Sequence, residues 1–243
     1  MSTWFATWFD SSYYHLLYQH RDDSEAQFFM DNLVQYLDVP KKAKILDLAC
    51  GKGRHSIYLA NKDFDVVGVD LSPESIQHAR KFEQEHLHFD THDMRMPLSV
   101  GPFDYIFNLF TSFGYFPTEE EHIQTLQEMK QGLKSKDSTL VIDFFNAHKV
   151  IQQLVLSEEK ILSGITFKIN RRVENGYILK DIRFEDKGQK FHFQEKVRAF
   201  TLEDFKRLLE QVGLELQAHF GGFDLSTYDP QNSSRLILIA KPC

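Results

Sequence analysis

Lys44-Ile45-Leu46-Asp47-Leu48-Ala49-Cys50-Gly51-Lys52-Gly53-Arg54 is the stretch that decides the fold of this chain. Ile45, Leu46 and Leu48 are the apolar run of a short strand, and Gly51 and Gly53 mark a turn. His55-Ser56-Ile57-Tyr58-Leu59-Ala60 then opens a helix. Glycines at a strand-to-helix turn let the backbone approach a ligand closely and leave helix-start N–H groups pointing at it. Asp47 stands near the carboxyl end of the strand, where open α/β sheets bind ligands. A carboxylate there repels a pyrophosphate and suits a ligand with an ammonium group. That contrast separates a nucleoside carrying an amino acid from a dinucleotide.

Outward from this turn, Asp65-Val66-Val67-Gly68-Val69-Asp70 is a β-branched run ending in an acid. It falls about 20 residues beyond the first glycine, at the tip of the neighbouring strand, placed to accept hydrogen bonds from ribose hydroxyls. Ser72 and Pro73 make the next helix start, with Ser72 the better cap, which leaves Asp70 free for a ligand. A third strand signal, Leu87-His88-Phe89, leads to His92-Asp93-Met94-Arg95.

With these three stations in order, the chain resembles the class I S-adenosylmethionine-dependent methyltransferases over most of its length. Asp47 to Gly53, with Ala49, Cys50 and Gly51, looks like their first motif. Asp70, with Leu71 beside it, resembles their ribose-binding acid, and Asp93 and Met94 their adenine-reading segment. Asn108, at the end of the fourth strand, completes the cofactor residues that the resemblance implies. The following Ser112-Phe113-Gly114-Tyr115 is similar to small-molecule N-methyltransferases, among them those acting on nucleotide-linked amino sugars. It lacks the Asn/Asp-Pro-Pro-aromatic tetrapeptide used elsewhere in the class. Ser112, Phe113 and Tyr115 are thereby the candidate acceptor residues, although Phe113 and Tyr115 also suit a core. The N-terminal Tyr13-Tyr14-His15-Leu16-Leu17-Tyr18 matches where such enzymes place a lid tyrosine, Tyr14 by position. The resemblance implies S-adenosyl-L-methionine as cofactor and a small-molecule acceptor.

Composition bounds the rest. The chain has 243 residues, 42% of them hydrophobic, which is ample for one large core with an elaboration. No apolar run approaches the ~20 residues needed to span a bilayer. Met1 to Phe5 lacks a basic start and a long apolar stretch, so no secretory signal is expected. Two cysteines are too few for a disulfide framework, and a cytoplasmic location is the expectation. A net charge of −7 with no block of Lys and Arg argues against a long nucleic-acid partner. His86, His88, His92 and Asp93 fit a solvated strand edge better than a metal site, since His92 lies past a turn. Asp22-Asp23-Ser24-Glu25 reads as a helix start complemented by negative charge.

The expected fold is α/β: a Rossmann-like, doubly wound, mostly parallel seven-stranded sheet with helices on both faces. Residues 1–43 form an N-terminal helical lid, with one helix over about Glu25 to Leu37. Residues 44–157 and 200–243 form the cofactor-binding core, and residues 158–199 an antiparallel β insertion in a single domain. Three extended runs are expected in that insertion: Ile165 to Ile169, Tyr177 to Phe184 and Phe191 to Arg198. Asn175-Gly176 and Lys187-Gly188 are the turns between them. Exposed insertion edges leave a homodimer open.

A sulfonium is already an activated electrophile, so transfer to an amine needs alignment in a dry site more than acid–base chemistry. No mandatory catalytic base is named. Two other classes stay open at this point. A catalytically silent nucleoside-binding protein is not excluded by fold. An NAD-dependent oxidoreductase is disfavoured by Ser56, which stands where the dinucleotide fingerprint wants its third glycine.

Overall fold

The structure, a computed structural model, describes residues 4–18 and 23–243. The start of the acidic run, at Asp22, lies outside the described residues. Strands β1 (Lys44–Leu48), β2 (Asp65–Asp70), β3 (Leu87–Thr91), β4 (Tyr105–Asn108) and β5 (Thr139–Phe145) come first along the chain. They are followed by β6 (Ser157–Leu162), β7 (Ile165–Glu174), β8 (Tyr177–Asp186) and β9 (Gln189–Arg198). The last two are β10 (Leu214–Phe220) and β11 (Arg235–Pro242). The main sheet has seven strands in the order β10-β11-β5-β4-β1-β2-β3, parallel except that β11 runs antiparallel to both of its neighbours.

Helices α1 (Trp4–Phe9), α2 (Ser12–Leu17) and α3 (Asp23–Tyr36) precede the sheet. Helices α4 (Arg54–Ala60), α5 (Pro73–Ala79), α6 (Glu119–Gly132), α7 (Ala147–Gln152) and α8 (Leu202–Gln211) follow between strands. Successive residues of a strand point to opposite faces, and β1 shows both layers at once. Leu46 and Leu48 join the cluster with Leu126 and Met129 of α6 and Phe205 and Leu208 of α8. Ile45 joins the cluster on the other face, with Met30 and Leu33 of α3, Leu59 of α4 and Ile76 of α5. Strands buried on both faces explain the unbroken apolar runs in the sequence.

Local chemistry sets the helix starts. Ser72 caps α5 by accepting from the Ser75 N–H, with Pro73 in the first turn. Thr201 and Asp204 form a reciprocal capping box on α8.

The second sheet is antiparallel, in the order β6-β7-β8-β9. Its hairpin turns at Asn175-Gly176 and Lys187-Gly188 each have two consecutive positive φ angles, as expected for their residue types. A fourth strand, β6, precedes the three expected. Its Ser-Glu-Glu-Lys start is an exposed edge with little apolar signal, so alternation could not reveal it. One face of this sheet (Phe167, Ile169, Ile182, Phe184) packs against Trp8 and Leu17 of α1 and α2. The N-terminal helices thus rest on the insertion sheet, which the sequence did not foretell. Among the described residues no helix is long and apolar enough to cross a membrane.

Candidate active site

A cavity of about 390 Å³ opens at the carboxyl ends of β1, β2 and β4. Its floor is the turn after β1. Ala49, Gly51 and Gly53 all have positive φ (67°, 57° and 83°), reversing the chain sharply before α4. The N–H groups of Ala49 and Cys50 donate to the Val69 carbonyl at 2.8 and 2.9 Å, fastening the turn to β2. A Cβ at Gly51 would meet nothing within 4 Å, because that position faces the open cavity. At Gly53 a Cβ would come within 2.6 Å of the Phe89 ring. The two glycines therefore do different work: Gly51 leaves room for a ligand, and Gly53 lets α4 close onto the sheet.

Two carboxylates reach this floor from adjacent strands. Asp47 is 1% exposed and accepts a hydrogen bond from Ser56 Oγ at 2.6 Å. Burial pushes its carboxyl up to about 6. Ser56, where a dinucleotide site would have its third glycine, is thus the partner of the acid that repels a pyrophosphate. Asp70 accepts from the Gly51 N–H and the Ser72 N–H, both at 2.8 Å. It braces the glycine turn against the start of α5, so it also has a structural role beside the ligand role that the sequence reading gave it. Burial pushes its carboxyl up as well.

The walls come from two other regions. Phe9, Tyr14, His15 and Tyr18 close one side from the N-terminal helices. Tyr14 is ringed by Trp8, Phe9 and Tyr18, with centroids 5.7, 5.0 and 4.9 Å away. Tyr13 instead turns to the insertion sheet, where it bonds Asp186 at 2.8 Å and packs on Phe184. Leu109, Phe110, Ser112 and Tyr115 supply the other wall from the loop after β4. That loop is held by Asp143, a fully buried carboxylate on β5. It accepts from the Phe110 N–H at 2.7 Å and pairs with Arg235 of β11 at 2.7 Å.

Of the residues singled out from sequence, Tyr14, Asp47, Ala49, Cys50, Gly51, Asp70, Ser112 and Tyr115 line this cavity. Gly53, Leu71, Asp93, Met94, Asn108 and Phe113 are not among its walls. Asn108 is buried, and its Nδ2 donates to the Leu48 carbonyl at 3.0 Å, bracing β4 to the end of β1. Asp93 is taken up by Arg95, which also bridges to Glu121. Burial alone would raise the Asp93 carboxyl, and the Arg95 hydrogen bonds hold it below the usual range. Met94 packs on the cluster under α6 and α8. Phe113 is fully buried among His122, Phe200 and Phe205, the core role its residue type equally allowed.

Sequence reasoning assigned no role to Phe9, His15, Lys52, Arg54 or His55, and singled out neither Leu109 nor Phe110 within the segment after the fourth strand, yet all line the cavity. Five of the seven had a signal in their position: three sit inside or beside the glycine motif, and two directly follow Asn108. Among the described residues no group of three or more His, Cys, Asp or Glu side chains is placed to hold a metal ion.

A methyltransferase-domain family matches residues 45–136. The "Putative methyltransferase" of Geobacillus sp. (strain WCH70) is 30% identical over 254 residues, covering 98% of this chain and 98% of that protein. A glycine/sarcosine N-methyltransferase of Aphanothece halophytica is 28% identical over 235 residues, 91% of this chain and 83% of its own. The fold is similar to that of an S-adenosylmethionine-bound amino pentose methyltransferase of Micromonospora echinaspora. That likeness has a TM-score of 0.71 at 20% identity, over 96% of this chain and 98% of the other.

The donor set suits the cofactor of such enzymes. Asp47 offers a carboxylate for an ammonium, Asp70 retains acceptor capacity for ribose hydroxyls, and Gly51 leaves the space a nucleoside would need. By near full-length sequence relationship, by strand order and by this floor, the chain belongs to the class I S-adenosylmethionine-dependent methyltransferases.

Proposed function

We propose that this methyltransferase acts on the amine of a small-molecule acceptor. The observation that carries this reading is the aromatic collar of Phe9, Tyr14, Tyr18 and Tyr115 above a floor of two carboxylates. Aromatic faces attract cations, and a desolvated aromatic wall suits both a sulfonium and a substituted amine. The name of the glycine/sarcosine N-methyltransferase relative points to nitrogen as the acceptor atom.

When bound, S-adenosyl-L-methionine supplies a methyl group already activated on sulfur. Asp47 holds the ammonium end, Asp70 the ribose hydroxyls, and Gly51 allows the close approach between them. Tyr14 covers the amino-acid end from α2. Ser112 and Tyr115 face the acceptor from the loop after β4, and the N-terminal helices exclude water as a lid. Asn108 and Phe113 support this arrangement from behind, as brace and packing.

The test is transfer of a labelled methyl group to matched pairs of small amines and alcohols, including an amino acid and an amino sugar. Methylation of an amine with release of S-adenosylhomocysteine is expected. Methylation confined to the alcohols would overturn the reading.

A further inference from the structure

A second cavity, of about 520 Å³, lies between α7, the start of β11 and one face of the insertion sheet. All four strands of that sheet send a charged side chain into it: Glu158 from β6, Arg171 from β7, Lys180 from β8 and Glu195 from β9. Arg171 stands directly opposite Lys180 in the ladder, and Lys180 directly opposite Glu195. Like charges opposite one another weaken a sheet. These two are also largely shielded from water, with side chains 18% and 12% exposed. Such a pair is costly unless something negative comes to sit on it.

Each of the two has one carboxylate near it, Glu158 or Glu195, but the cavity as a whole is not balanced. Lys149 and Lys160 bring the cavity to four cations against two carboxylates. Glu158 is shared by Arg171 and Lys160, the latter 3.7 Å away. Glu195 lies 3.6 Å from Lys180, but it also accepts from Trp8 Nε1 at 2.8 Å and Tyr18 Oη at 2.7 Å. Lys149 Nζ donates to the Asn232 carbonyl at 2.7 Å. Burial pushes the Lys180 ammonium below its usual range, against the pull of Glu195.

The two cavities are neighbours with no lining residue in common. Tyr18 lines the first, and its hydroxyl bonds both Lys180 and Glu195 of the second. Val197 lines the second and meets Gly114 in the loop that carries Ser112 and Tyr115, where the Arg198 N–H bonds the Gly114 carbonyl at 2.8 Å. Tyr18 thus stands at the boundary between the two cavities.

We propose that the second cavity seats an anionic group of the acceptor, a carboxylate or a phosphate, held by Arg171, Lys180, Lys149 and Lys160. This rests on the reading of the first cavity as the site of methyl transfer to an amine.

The experiment is calorimetric titration of the S-adenosylhomocysteine-loaded protein with inorganic pyrophosphate and, separately, with malonate. The wild type is compared with a Lys149→Gln/Lys160→Gln double variant, whose changes lie on the rim away from the first cavity. At least one anion should bind the wild type and bind the double variant five-fold or more weakly, with S-adenosylhomocysteine affinity equal in both. Loss confined to pyrophosphate assigns a phosphate, and loss confined to malonate a carboxylate. No binding of either anion, equal binding by both proteins, or displacement of S-adenosylhomocysteine by the anion would overturn the proposal. Amine methylation alongside any of those results sinks the second cavity alone, whereas absence of amine methylation sinks the reading it rests on.

Discussion

At the scale of single residues, Asp47 gives a pH dependence whose sign can be worked out. Its carboxyl stands at about 6 in the free protein, because it is buried. In the free fold it works against stability at neutral pH: its contribution is present below the unfolded value of about 3.9 and lost as pH rises through about 6. An ammonium placed against it lowers that value, so the complex carries fewer protons than the free protein. Affinity for S-adenosylhomocysteine should therefore fall about tenfold between pH 7 and pH 5, by proton linkage. Asp47→Asn should bind weakly at every pH, with that slope removed. A wild-type affinity constant over the range would remove Asp47 from the ammonium site.

The glycines separate in the same way. Gly51→Val should leave a folded protein that no longer binds S-adenosylhomocysteine, since its side chain would occupy the cavity at a left-handed φ. Gly53→Val should lower the melting temperature first, because its Cβ strikes the Phe89 ring. Asp70→Ala should cost about 1.5–3 kcal/mol of stability as well as cofactor affinity, the range for hydrogen bonds to a charged group. Chemical denaturation read beside calorimetry distinguishes the three. The place of Asp47, Gly51 and Asp70 on the cavity floor was legible because a strand tip and a glycine turn fix direction locally. That of Asn108 and Phe113 was not, because whether a side chain faces a cavity or a core depends on neighbours distant in sequence.

At the scale of elements, the parallel strands and both expected hairpin turns could be read from residue type, whereas the polar edge strand β6 and the seat of α1 and α2 could not. Nothing in Trp4 to Tyr18 announces its partner; the matching apolar face lies more than a hundred residues away, on β7 and β8. The lid reading makes a prediction here. Hydrogen exchange of α2, residues 12–17, should slow on binding S-adenosylhomocysteine, while exchange in β7 and β8 stays nearly constant. Equal exchange of α2 with and without ligand would argue against closure.

At the scale of the whole molecule, the ion pair of Asp143 with Arg235 ties β5, the antiparallel β11 and the loop after β4 into one unit. Arg235→Met would strand a buried carboxylate and should destabilise the fold by about 3–5 kcal/mol, the range for breaking a buried pair. Thermal unfolding measures this directly, and a shift of less than a degree would mean that Asp143 is satisfied without its partner.

Trp8 is wholly buried against the insertion sheet, and its indole N–H is bound to Glu195. The first turns of the chain and a segment nearly two hundred residues later are therefore bound to drift together through evolution. A lineage that rewrites the later segment must also rewrite the helix that carries Trp8 to match. Chimeras between relatives should accordingly express as soluble protein when both pieces come from one parent, and aggregate when the parents are mixed.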